Sequence, residues 1–105
     1  MAETPLPIRR ISAQEMREKF NNGLYFEQTK SGQLTAVLMK DRHPSLPAAN
    51  EPFCTRSQMV SYRNGPMEVA RVHQYLRPDG TIGASGLPDP KELYENGILY
   101  RVAPK

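Results

Sequence analysis

The stretch Glu68-Val69-Ala70-Arg71-Val72-His73-Gln74-Tyr75-Leu76 decides the reading of this chain, because it combines β-branched and aromatic residues with period-two alternation. As an extended strand it places Ala70, Val72 and Leu76 on one side and Val69, Arg71, His73 and Tyr75 on the other. The first side reads as core. The second reads as mixed and partly exposed. Arg77-Pro78-Asp79-Gly80 then reads as a turn, and Thr81 to Gly86 as a return strand.

Working outward toward the C-terminus, Asp89 can cap a helix, Pro90 fits its first position and Gly97 fits its exit, so Leu87 to Gly97 predicts a short C-terminal helix. Ile98 to Val102 predicts a final strand. Toward the N-terminus, Thr55 to Asn64 is ambiguous. Thr55 and Gln58 mimic a capping box, which favours a short helix or turn-rich segment, while Met59-Val60-Ser61-Tyr62 also suits a strand.

Residues 41–54 form a proline-rich stretch that reads as a long surface loop. Before it, Leu24 to Gln28 and Gln33 to Lys40 read as a hairpin across Thr29-Lys30-Ser31-Gly32. The Ala36-Val37-Leu38-Met39 run suggests a central strand buried on both faces. Ser12 and Glu15 form a capping box, Met16 and Phe20 share one helical face, and Gly23 can stop the helix in a left-handed conformation, which predicts a helix over Ala13–Asn21. Residues 1–10 read as an extended arm. The expected fold is therefore α+β: a small, mostly antiparallel sheet with an N-terminal helix and a short C-terminal helix packed on it, all within a single globular domain spanning 1–105.

Composition narrows the function classes. With 38% hydrophobic and 24% charged residues the chain is globular rather than disordered. No apolar run approaches the roughly 20 residues of a membrane span, and the first residues resemble neither a secretory nor a transit signal. A single cysteine, Cys54, has no partner for a disulfide within these residues, so a cytoplasmic setting is expected. The net charge of +3 is divided nearly evenly between the halves of the chain. One window is biased, from Arg42 to Arg63, where Arg42, Arg56 and Arg63 are opposed only by Glu51, a hint of nucleic acid as a partner without a basic stripe to hold it.

The residues suited to chemistry fall into two groups. Arg71, His73 and Tyr75 lie on one strand face, where an imidazole can move a proton and a guanidinium can hold phosphate, the parts of a metal-independent RNA-cleaving or RNA-binding protein. Gly83, Ser85, Asp89 and Lys91, with Tyr75, form a second candidate, a binding site where small residues permit close approach. The glycines of 80–86 match neither a P-loop nor a dinucleotide fingerprint. His43, Cys54 and His73 lack metal-ligand spacing, so no metal or other cofactor is expected.

No complete catalytic set emerges, so the sequence favours a small non-catalytic binding domain over an enzyme. Its expected partner is a protein, in the first place a second copy of itself, because a small open sheet leaves an edge that another chain can pair with. In the alternative, His73 and Arg71 are catalytic.

Overall fold

The computed structural model describes residues 7–42 and 50–104. In chain order the elements are β1 (Ile8–Ile11), α1 (Ala13–Asn22), α2 (Tyr25–Lys30), β2 (Thr35–Arg42), β3 (Arg56–Asn64), β4 (Met67–Leu76), β5 (Asp89–Glu95) and β6 (Ile98–Val102). The strands form one sheet of order β1-β6-β5-β4-β3-β2, antiparallel throughout except for the parallel pair β1–β6. The chain thus starts at one edge, crosses by way of the two helices to the other, and returns strand by strand until β6 meets β1.

This corrects the expected architecture. The sheet is a six-stranded mixed one, both helices lie between β1 and β2, and there is no C-terminal helix. The segment read as that helix is β5. Its Asn96-Gly97 pair has φ of 53° and 76°, both positive, as a type I′ hairpin turn between β5 and β6 requires. The helical pattern has a physical source in a bulge. Val72 faces Pro90 and Arg71 faces Glu92, so Lys91 is an extra residue that places buried Pro90 and Leu93 three apart on one face, the spacing of a helix. The same bulge accommodates Pro90, which has no N–H to give a regular ladder.

The structure resolves one open reading and corrects further expectations. Of the two readings of Thr55 to Asn64 it takes the strand, from Arg56, as β3, joined to β4 by Gly65-Pro66, and the favoured helix or turn is absent. A positive φ of 59° at Gly65, followed by proline's fixed negative φ, has the sign pattern of a type II′ hairpin turn. The first strand of the expected Leu24–Gln28 hairpin is α2 instead, entered through Leu24 at φ 57°. Leu24, not Gly23, therefore takes the left-handed conformation. Gly23 sits at φ −81°, and a Cβ there would collide with the Tyr25 ring. Finally, β2 is an edge strand with all eight residues exposed, rather than a buried central one.

Helix α1 begins where the capping box places it, with the Glu15 N–H donating to Ser12 Oγ at 3.1 Å. Its buried stripe, Met16 and Phe20, meets Val60, Tyr62, Ala70, Val72, Leu93 and Tyr100 on one face of the sheet. The Phe20 ring lies 6.0 Å from that of Tyr62. Burying a side chain such as Phe20 or Met16 completely contributes about 1.5–3 kcal/mol, and this packing holds α1 across β5 and β6. The other face of the sheet is polar, tied by Arg71 to Glu68 at 3.2 Å and by Arg101 to Glu92 at 3.1 Å.

Of the N-terminal residues read as an arm, Ile8–Arg10 belong to β1 and 1–6 lie outside the described residues. Of the proline-rich stretch, Asp41 and Arg42 end β2 and 43–49 lie outside them as well. No helix of the described residues is long and apolar enough to cross a membrane.

Candidate functional site

A cleft of about 650 Å³ opens where β4 and β5 part company. Their pairing ends at His73 opposite Asp89, and beyond that point β4 is bridged instead by Ile82, opposite Leu76. The chain between, from Gly83 to Pro88, detours away from the sheet and leaves a hollow beneath it. The detour is built into the backbone. Ala84 and Gly86 have φ of 53° and 83°, which break an extended ladder at two nearby positions, so the return strand expected over Thr81 to Gly86 reduces to one bridge.

The detour is pinned from two sides where it begins. The Gly83 N–H donates to the Tyr75 carbonyl at 2.7 Å. On the far side Glu51 reaches in with a nearly buried carboxylate, accepting from the Ala84 N–H at 2.6 Å and from Arg77 Nε at 2.9 Å. These two bonds hold the Glu51 carboxyl below its ordinary range, the Arg77 bond contributing most. Gly83 is buried directly under that carboxylate, with no room for a Cβ. The turn before it is closed by the Gly80 N–H on the Arg77 carbonyl and by Asp79, whose carboxylate accepts from the Thr81 N–H and hydroxyl.

Into this cleft the fold gathers His73, Tyr75, Gly83, Ser85, Asp89 and Lys91, residues from two separate stretches of sequence. Leu87, Pro88 and Pro90 give it an apolar lining, and Arg17 and Asn21 of α1 stand at its rim. Arg71 is not part of it. The guanidinium is held on the polar sheet face by Glu68, through bonds of 3.2 and 3.3 Å.

Within the cleft, Lys91 Nζ lies 2.7 Å from Asp89 Oδ2, so these two charges largely offset each other. Arg17 makes no ion pair among the described residues, which leaves one uncompensated positive charge at the rim. His73 packs edge-on against the Tyr75 ring at 4.7 Å, and its Nε2 lies 2.7 Å from Ser57 Oγ on β3. Burial pushes the imidazole below its ordinary value, helped by the Lys91 charge and opposed by Asp89. His73 is therefore neutral at pH 7.

A neutral imidazole bonded to a serine hydroxyl is the first half of a nucleophile relay, but no carboxylate bonds the ring to orient it, since Asp89 is turned to Lys91. Binding groups are present in greater number than reacting ones. Ser57, Arg17 and Glu51 are the residues that sequence reasoning missed. The signal for Ser57 is the Gly65-Pro66 turn, which makes Arg56 to Asn64 the hairpin partner of β4.

Among the described residues no three His, Cys, Asp or Glu side chains are grouped to hold a metal ion; Cys54 is half-buried and His43 lies outside the described residues. Comparison with protein-family models, curated proteins and solved structures gives no match for this chain.

Proposed function

We propose that this protein is a small non-catalytic binding domain whose ligand enters the cleft between the β4 end, the Gly83–Pro88 detour and α1. The observation that carries the reading is convergence: His73, Tyr75, Gly83, Ser85, Asp89 and Lys91 line one hollow with an apolar lining and few polar groups, the usual anatomy of a small-molecule site. The single uncompensated charge of Arg17 favours a ligand with an apolar body and one negative charge. The same reading includes a protein partner, in the first place a second copy, because the sheet ends in two edges. The lone Cys54 suits a cytoplasmic setting.

The RNA-cleaving alternative has less support, because it needs Arg71 and His73 around one phosphate and Arg71 is engaged with Glu68 away from the cleft.

The test is amide chemical-shift mapping with a panel of small aromatic carboxylates and their neutral amides, and in parallel with a short mixed-sequence RNA whose integrity is followed. Shifts grouped at His73, Tyr75, Gly83, Ser85, Asp89 and Lys91, stronger for the carboxylates and weakened by Arg17→Gln, are expected. Silence at these amides across the panel overturns the proposal. RNA cleavage by the wild type that is lost in His73→Ala overturns it in favour of the enzyme.

A further inference from the structure

We propose that β2 is the surface through which two copies of this chain associate, edge to edge and antiparallel about a two-fold axis; the inference rests on the self-association part of the reading above and names its surface. All eight residues of β2 are exposed, with Val37, Leu38 and Met39 at 41%, 52% and 44%. Edge strands ordinarily carry a charge, a proline or a bulge that blocks further pairing. Here the bulge falls on Met39 and the charges begin at Lys40, so the run from Gln33 to Leu38 has no charge, proline or bulge. Its apolar row stands open to another strand.

Charge and closure select the second copy. The opposite edge, β1, exposes Arg9 and Arg10 side by side, so two β1 strands would set cation against cation. Joining β1 to the β2 of another copy brings those arginines toward a strand ending in Lys40 and Arg42, and it adds copies without limit instead of closing. Pairing of β2 with β2 closes on itself. Centred on Leu38, it sets Val37 of each copy opposite Met39 of the other, Ala36 opposite Lys40 and Thr35 opposite Asp41, with no like charges facing. Asp41 is already neutralised by Arg56 at 2.7 Å. The product is one continuous sheet with arginine-bearing β1 strands at both ends.

An eight-residue edge is smaller than the roughly 1,200–2,000 Å² of a standard interface, so the dimer is weak, with Kd on the order of 10–100 µM. Sedimentation equilibrium of the whole chain from about 1 µM to about 1 mM spans that range. A concentration-dependent dimer is expected, with at least a tenfold weaker association in Leu38→Lys and in Ala36→Lys, which sets lysine against Lys40 of the other copy, each checked for an unchanged amide spectrum. In a Cys54→Ser background, Leu38→Cys should oxidise to a covalent dimer while Arg9→Cys stays monomeric. Monomer at every concentration overturns both this surface and self-association. A dimer untouched by both lysine variants overturns the β2 surface alone.

Discussion

Replacing Asn96 by alanine tests the element on which the cleft depends. In the I′ turn Asn96 sits at φ 53°, where alanine's Cβ meets the carbonyl and asparagine's short polar side chain is better tolerated. A left-handed conformation costs an ordinary L-residue about 1–2 kcal/mol, and asparagine already bears part of that, so Asn96→Ala should destabilise by about 1 kcal/mol. Were Asp89 to Gly97 a helix, Asn96 would be its last residue before a terminating Gly97. There alanine, the better helix former, would stabilise by a few tenths of a kcal/mol. The two arrangements predict opposite signs. Urea unfolding reads the difference directly, because with m of about 1–3 kcal/mol/M for a chain of this size the midpoint should fall by about 0.3–1 M. A midpoint that is unchanged or higher refutes the hairpin. It would also remove the cleft, because only as a strand does β5 bring Asp89 opposite His73.

Two further outcomes probe the walls of the cleft. Because burial lowers the His73 pKa below the ordinary 6.5, the unfolded chain takes up that proton first as the pH falls. Stability should therefore decline from about pH 6.5 down to the folded-state value, and His73→Gln should remove that part of the slope. Urea midpoints at stepped pH check it, and equal slopes in the two proteins contradict the burial of the ring. Gly83→Ala places a Cβ on the Glu51 carboxylate and should release its bond to the Ala84 N–H, with exchange at that amide rising roughly tenfold. Glu51→Gln should expose the same amide more mildly, and unchanged exchange in both variants would mean that Glu51 does not hold the detour.

The parts of the fold legible in the sequence are those in which a local pattern and the tertiary structure ask for the same thing. α1 carries its own cap and stripe, and β4 and β6 carry strand-forming residues without a competing signal. Two of the misread strands share a cause. Bulges at Met39 in β2 and at Lys91 in β5 each add a residue and break the two-residue period on which strand reading depends. At β5 the break is worse than noise, because Asp89, Pro90 and Gly97 sit where a helix would want them and the bulge supplies the helical spacing. For β2 the composition says buried and the topology says edge. A row of apolar residues reads as buried, and among the described residues nothing covers it.

The candidate site shows the same division at a finer scale. His73 with Tyr75, and Gly83, Ser85, Asp89 and Lys91, are each visible as local groups, and Tyr75 reads with the second as well, but nothing in the spacing brings His73 to that site. The join is made by one bridge, Leu76 to Ile82, and by Glu51 tying Ala84 from 33 residues away. Arg71 illustrates the converse. It shares a strand face with His73, yet Glu68, on β4 itself, holds it at 3.2 Å, so a common face did not mean a common site. Ser57 was reachable by counting rather than by motif. The Gly65-Pro66 turn sets Asn64 opposite Met67, and stepping back through one bulge brings Ser57 opposite Tyr75 and Met59 opposite His73. Cross-strand register, once a turn type fixes it, is thus the step by which a binding surface becomes readable, and it carries Ser57 to His73 where side-chain chemistry alone gave no reason to pair them.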